Sequence, residues 1–185
     1  MKERCWIVAR LKATLDPERF AHSLRVEQVA LALARRHRVS LNKASLAALL
    51  HDCARRDSRS GLLKKARRLG LTIDPVQAQE PKLLHGELGA RLAREEFEVK
   101  ARDILAAIRH HTTGRPKMSK LEKIVFLADH IEEGRDYTGL KNLRRLAFRD
   151  LDGAVVESAS RQIAYLLRKK VPIHPGSVLT RNSYL

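Results

Sequence analysis

Four side chains scattered along the chain could together hold a metal ion: His22, the adjacent pair His51 and Asp52, and Asp129. His22 lies four residues before Val26 and seven before Val29, so a helix through them turns all three to one face. His51 follows Ala47 by four positions and Ala44 by seven; Asp129 follows Val125 by four and Phe126 by three. Imidazole and carboxylate groups from three separate helices therefore point inward, with Asp52 beside His51. A buried carboxylate without a partner is costly. Two of them beside two imidazoles make sense around a cation, and such a mixed set suits iron, manganese or zinc better than calcium. A single inward His or Asp would read as an ordinary satisfied core residue; the combination is what points to a metal.

The elements that must position these groups read as helices almost throughout, with no convincing strand. A first helix is expected over about residues 2–15. Asp16 then caps a second helix with Pro17 at its first position, and Leu24, Val26, Val29, Ala30, Leu33 and Ala34 give it a 3.6-residue apolar pattern. Asn42 is a plausible cap for the helix that runs into His51. The stretch SRSGLLKKARRLG predicts a short basic amphipathic helix stopped by Gly70. LTIDPVQAQEPKLLH, with two prolines, is the least regular region. Further helices are expected over about 86–97 and 101–110, and TTGRPKM forms a loop. Ser119 and Glu122 make a capping box for a helix ending at Ile131. One long helix is expected over about 140–169, followed by an extended tail, VPIHPGSVLTRNSYL. No stretch reads as a linker and no repeat is visible, which predicts one compact all-α helical bundle over residues 1–185.

With 185 residues and 44% hydrophobic content, the chain can bury a core of its own. Its net charge of +16 points to a polyanionic partner, nucleic acid or a phosphate-rich small molecule. The basic runs KKARR and LRRLAFR lack interleaved aromatics for stacking bases and read as solvated faces, which disfavours nucleic acid. His37, in a basic helix end, reads as solvated too. Cys5 and Cys53 form no C-x-x-C pair, and lone thiols fit a reducing cytosol; Cys53 reads as a small core hydrophobe. The N-terminal stretch lacks the apolar region of a signal peptide. No apolar run approaches the ~20 residues needed to span a membrane.

The order His22, His51-Asp52, Asp129 resembles that of the HD phosphohydrolase superfamily, and His85 and His111 resemble the additional histidines of one of its subsets. The segments AHSLRVEQVALALA, AALLHDCAR, LLHGELGA, AIRHHTTGRPKMSKLEKIVFLADHIEEGRDYTGL and IHPGSVLTRN together resemble the YqeK family. Those bacterial HD-domain hydrolases cut diadenosine tetraphosphate symmetrically into two ADP. The chain departs from the family pattern at His110 and His130, where an aromatic is common, and in the tail, where a threonine-isoleucine pair is more usual. The resemblance implies an HD-domain bundle, a cytoplasmic enzyme, and a metal site of one or two ions, with iron as the metal.

Phosphoanhydride hydrolysis needs an attacking oxygen, neutralisation of phosphoryl charge and a leaving group held in line, and a metal supplies the first two. His22, His51, Asp52 and Asp129 are the expected direct ligands. His85 and His111 are expected either to contact the phosphates, as donors or as the acid to the leaving group, or to hold a second ion with Asp52 between the two; Asp52, His85 and His111 thus stand nearest the reaction. Arg25, three residues after His22, and Arg135 are expected on the phosphates, with Thr112, Thr113 and Gly114 offering hydroxyl and backbone donors. The resemblance further implies that residues 171–185 close over the nucleotide, through Pro172, Ile173, His174, Pro175, Gly176 and Ser177. Two other readings compete: an HD hydrolase of another nucleotide, such as a dNTP or alarmone, and a basic RNA- or nucleotide-binding regulatory module. A homodimer is compatible with the sequence, though no clear exposed apolar stripe argues for one.

Overall fold

The computed structural model describes residues 3–185. Among these, eleven α-helices and one short 3-10 turn follow one another with no strand: α1 (Arg4–Thr14), α2 (Pro17–His37), α3 (Leu41–Leu50), α4 (Arg59–Arg68), α5 (Pro75–Gln79), the 3-10 turn (Pro81–Leu84), α6 (His85–Glu95), α7 (Arg102–His110), α8 (Lys120–Ile131), α9 (Leu140–Arg149), α10 (Leu151–Lys169) and α11 (Pro175–Asn182). The start expected near Lys2 lies outside the described residues.

Two helices central to the site are defined at their ends by local chemistry. Asp16 accepts the backbone N–H of Arg19 at 3.0 Å and Pro17 opens α2. At the other end Arg38 takes the left-handed conformation, φ 57°, that closes the helix. Ser119 and Glu122 form the expected reciprocal box at the start of α8, and Arg115 holds the same Glu122 with two bonds of 2.7 and 2.9 Å. The far end of α8 is clamped by Arg144, which donates to the carbonyls of Ile131 and Glu132 at 2.8 and 2.7 Å.

α2 forms the spine. It packs against α3 and α8, while α7 bridges α3, α6 and α8. Leu33, Leu49, Leu50, Ile108, Phe126 and Leu127 are fully buried between these helices, each contributing about 1.5–3 kcal/mol by leaving water. A smaller apolar cluster of Ala54, Leu62, Ala66, Leu84 and Leu88 seats α4 against the 3-10 turn and α6. The first helix is stapled on by a polar bond: Arg4 grips the buried carboxylate of Glu27 at 2.8 and 2.7 Å, and the Ser45 hydroxyl donates to it at 2.5 Å. No helix among the described residues is long and apolar enough to cross a membrane.

Several expectations are corrected. Ser40, not Asn42, caps α3. The single long helix over 140–169 is two, because Asp150 sits in extended backbone (φ −146°, ψ 108°) and turns its carboxylate onto the N–H of Asp152, at 3.0 Å, to start α10 afresh. The tail is not extended: His174 accepts the Gly176 N–H at 3.0 Å, Pro175 takes the first helical position, and α11 follows. LTIDPVQAQE contains the short helix α5, opened by an Asp74–Gln77 capping box. His37 is half-buried rather than solvated, its Nε2–H donating to the Ala147 carbonyl at 2.7 Å.

Candidate metal centre

Five helices, α2, α3, α6, α7 and α8, end or pass close together, and each brings one or more of six expected groups to one place. His51 and Asp52 lie just past the last turn of α3, His85 begins α6, His111 follows α7, and His22 and Asp129 project from α2 and α8. His51, Asp52, His85 and His111 are buried; His22 and Asp129 are partly open.

The orientation of the rings follows from what holds their Nδ1 atoms. His51 Nδ1 faces the Ala48 carbonyl at 2.6 Å, His111 Nδ1 the Ile108 carbonyl at 2.7 Å, and His85 Nδ1 the Lys82 carbonyl. His22 Nδ1 faces the Glu132 carboxylate at 3.2 Å. A carbonyl or carboxylate only accepts, so each Nδ1 carries the proton and each neutral ring turns the lone pair of Nε2 toward the others. His22 and His51 bring these atoms to 3.3 Å, and His85 and His111 to 2.9 Å. Facing lone pairs repel unless a cation lies between or beside them.

The carboxylates complete the donor set. Asp129 Oδ1 is 3.1 Å from His22 Nε2. Asp52 Oδ2 is 3.9 Å from His51 Nε2, and its Oδ1 is 3.2 Å from His85 Nε2 and 3.6 Å from His111 Nε2. Despite that proximity, Asp52 Oδ1 is fully buried and makes no well-directed hydrogen bond. Two overlapping triplets, His22–His51–Asp129 and His51–Asp52–His111, keep their ligand atoms within 4.8 Å of one another. Lone pairs and carboxylate oxygens converging in this way fit a transition-metal ion.

The charges adapt to one another. Burial resists ionisation of Asp52 and Asp129. For Asp52 the neighbouring imidazoles of His51, His111 and His85 outweigh burial, and for Asp129 those of His22 and His51 do so. Both acids lie well below the usual carboxylate range. Burial pushes the His51 imidazole down to about 4 and lowers His85. Burial also opposes charge on His22 and His111, but Asp129 outweighs it at the first and Asp52 at the second, so both are raised.

The half-open side of the cluster is a cavity of about 380 Å³. Its wall carries His22, Asp52 and Asp129 together with Arg19, Arg25, Arg55 and Arg135. Arg25 and Arg135 were expected here. Arg19 and Arg55 were not, although each sits three positions from an expected ligand, Arg19 before His22 and Arg55 after Asp52. Arg19 reaches Asp52 Oδ2 at 3.4 Å and Arg55 reaches it at 3.9 Å. Arg135 donates to Asp129 Oδ1 at 2.5 Å and to the Asp129 carbonyl at 2.8 Å. Glu132 was also unforeseen: it binds His22, Arg25 at 2.6 Å and the Gly134 N–H at 2.6 Å.

The loop after α7 divides its labour. Thr112 Oγ1 lies 3.1 Å from both His85 Nε2 and His111 Nε2. Thr113 and Gly114 face elsewhere. The Thr113 hydroxyl donates to the Gly114 carbonyl at 3.2 Å, and the Gly114 N–H is already taken by the His110 carbonyl at 2.8 Å, so it offers no free backbone donor. Thr180 of α11 donates to the Thr113 carbonyl at 2.9 Å. Gly114 has φ +65°, and a Cβ there would come within 2.5 Å of Thr180, so the close approach of α11 requires a glycine. Pro172, Ile173, His174, Pro175, Gly176 and Ser177 do not line the cavity. Gly176 lies beside Thr113 of the loop, and His174 Nε2 lies on Asp74 at 2.9 Å.

Residues 19–134 match the family model of the HD domain. The chain is 40% identical over 176 residues to a symmetrical bis(5'-nucleosyl)-tetraphosphatase of Halalkalibacterium halodurans, covering 95% of this chain and 93% of that one. It is 34% identical over 178 residues to the Bacillus subtilis protein of the same name, covering 95% and 94%. The crystal structure of a predicted HD superfamily hydrolase involved in NAD metabolism from Clostridium acetobutylicum superposes with a TM-score of 0.95 at 34% identity, over 100% of this chain and 97% of that one. The chain therefore belongs to the HD-domain family and is homologous, over nearly its whole length, to the bacterial symmetrical bis(5'-nucleosyl)-tetraphosphatases.

Proposed function

We propose that this protein hydrolyses diadenosine tetraphosphate, and related dinucleoside polyphosphates, at the central anhydride to give two molecules of ADP, and that the metal it uses is iron. The observation that carries the reading is the convergence of four Nε2 lone pairs and two carboxylates at the foot of a cavity rimmed by four arginines. His22, His51, Asp52 and Asp129 are the ligands in this reading. When bound, the ion supplies an activated attacking oxygen and neutralises phosphoryl charge.

The chain's own groups do the rest. Arg25 and Arg135, joined by Arg19 and Arg55, present planar donors that match phosphate oxygens in pairs. Binding substrate draws Arg135 from Asp129 onto phosphate, an exchange of one anionic partner for another. Thr112 orients the rings of His85 and His111, which either contact a phosphate or hold a second ion against Asp52 Oδ1. The α11 segment fixes the loop that carries Thr112.

The test is product analysis with diadenosine tetraphosphate as substrate, with and without chelator. ADP as the sole product, lost on chelation and regained with iron, is expected. AMP plus ATP, or turnover indifferent to chelator, would overturn the proposal.

A further inference from the structure

We propose that Glu132 is a positioning residue that sets both the metal-facing tautomer of His22 and the place of Arg25. The inference rests on the reading of His22 as a metal ligand. Glu132 is 2% exposed and sits where α8 ends, in extended backbone (φ −57°, ψ 164°). Its own carbonyl is clamped by Arg144, which fixes the backbone from which the carboxylate projects.

Four donors meet that carboxylate. Oε2 accepts from Arg25 Nε and from the Gly134 N–H, both at 2.6 Å. Oε1 faces His22 Nδ1 at 3.2 Å and Arg135 Nε at 3.6 Å. Arg25, Gly134 and Arg135 can only donate. His22 alone could present either a proton or a lone pair, and a carboxylate admits only the proton. Glu132 thus holds a hydrogen on Nδ1, so that Nε2, between His51 and Asp129, is the nitrogen a bound ion would take. Arg25 is placed by the same group and by close approach: a Cβ at Gly134 would come within 2.8–3.0 Å of its guanidinium. One carboxylate therefore sets the relation between the metal ligand and a cavity-wall arginine.

Glu132→Gln separates this role from packing because it keeps the shape. The amide oxygen is drawn to the Arg25 and Gly134 donors, which leaves the amide NH2 opposite His22 Nδ1. That donor demands a lone pair on Nδ1 and drives the ring hydrogen to Nε2, where it blocks coordination. The experiment measures cobalt(II) affinity by chelator competition for wild type, Glu132→Gln and His22→Ala, and which His22 nitrogen carries the hydrogen by ¹⁵N NMR of the zinc-loaded protein. Expected are hydrogen on Nδ1 of His22 in the zinc-loaded wild type and about 10–100-fold weaker cobalt binding in Glu132→Gln. Wild-type cobalt affinity in Glu132→Gln, with binding lost in His22→Ala, overturns the role of Glu132 and leaves His22 as a ligand. Full affinity in His22→Ala overturns the ligand reading itself. The wild-type measurement needs no variant, and a zinc-loaded His22 with its hydrogen on Nε2 also overturns the proposal.

Discussion

His85 and His111 present their Nε2 atoms to one another at 2.9 Å while each Nδ1 donates to a backbone carbonyl one turn earlier. Only a proton or a metal can reconcile the two, apart from the single hydrogen that Thr112 can give to one of them. His111→Ala and His85→Ala are each expected to lower turnover about 100-fold or more. Metal content measured alongside separates the two roles. Unchanged metal goes with phosphate contact or proton transfer, whereas loss of one of two equivalents goes with a second ion.

Asp52→Ala and Asp129→Ala are each expected to abolish hydrolysis and remove most of the bound metal. Metal-free Asp129→Ala also leaves Arg135 without its 2.5 Å partner, so the cavity mouth becomes more positive. Elemental analysis together with steady-state turnover checks both variants; retained metal and full turnover in either would remove that residue from the ligand set.

Metal-free protein should lose stability as pH falls from 7 to 4. Burial holds the His51 imidazole near 4 against an ordinary 6.5. The unfolded chain therefore takes up that proton first, and stability falls between those values, by no more than about 3 kcal/mol. Glu122 and Glu132 are lowered despite burial, Glu122 by Arg115 and Ser119 and Glu132 by Arg25 and the Gly134 N–H. Their contribution is present above the ordinary carboxylate range and is lost as pH falls through their lowered values. The raised His22 and His111 have the opposite sign: their contribution is complete below 6.5 and is lost as pH rises through their folded values. Urea midpoints at pH 7, 5.5 and 4 measure the slope, and His51→Asn should flatten it between 6.5 and 4.

Arg4→Ala is expected to cost about 1–3 kcal/mol, because Glu27 stays buried with only the Ser45 hydroxyl to satisfy it. Arg4→Met combined with Glu27→Leu should recover most of that loss, since removing both charges removes the uncompensated one. Urea denaturation of the single and double variants decides the point. Hydrolysis in the double variant should remain near wild type, as the staple does not touch the cavity.

The convergence of His22 and Asp129 was legible because helix periodicity is a strong signal: His22 shares a stripe with Val26 and Val29, and Asp129 with Val125. Glu132 was not, because it lies just beyond the last turn of α8, where periodicity no longer says which way a side chain turns. Arg19 and Arg55 could have been found from their three-residue offset to His22 and Asp52, but surface arginines are common in a chain of charge +16. The break at Asp150 was hidden because apolar spacing continues across it and the interruption is a single extended residue. The tail was misjudged for a related reason: prolines at 172 and 175 suggested extended chain, yet Pro175 is placed where it starts a helix.

The proposed metal ligands are drawn from helices at opposite ends of the HD region, with His22 and Asp129 more than a hundred positions apart. No segment shorter than the stretch from His22 to Asp129 can therefore assemble the set, and the polypeptide must extend past Asp129 before the site exists. Closing so long a loop costs entropy early, and the contacts that repay it come late, which places site formation near the end of folding. An ion that binds only the closed arrangement then acts as a lock on the finished topology. Removing it should speed global unfolding and leave the initial rate of helix formation unchanged.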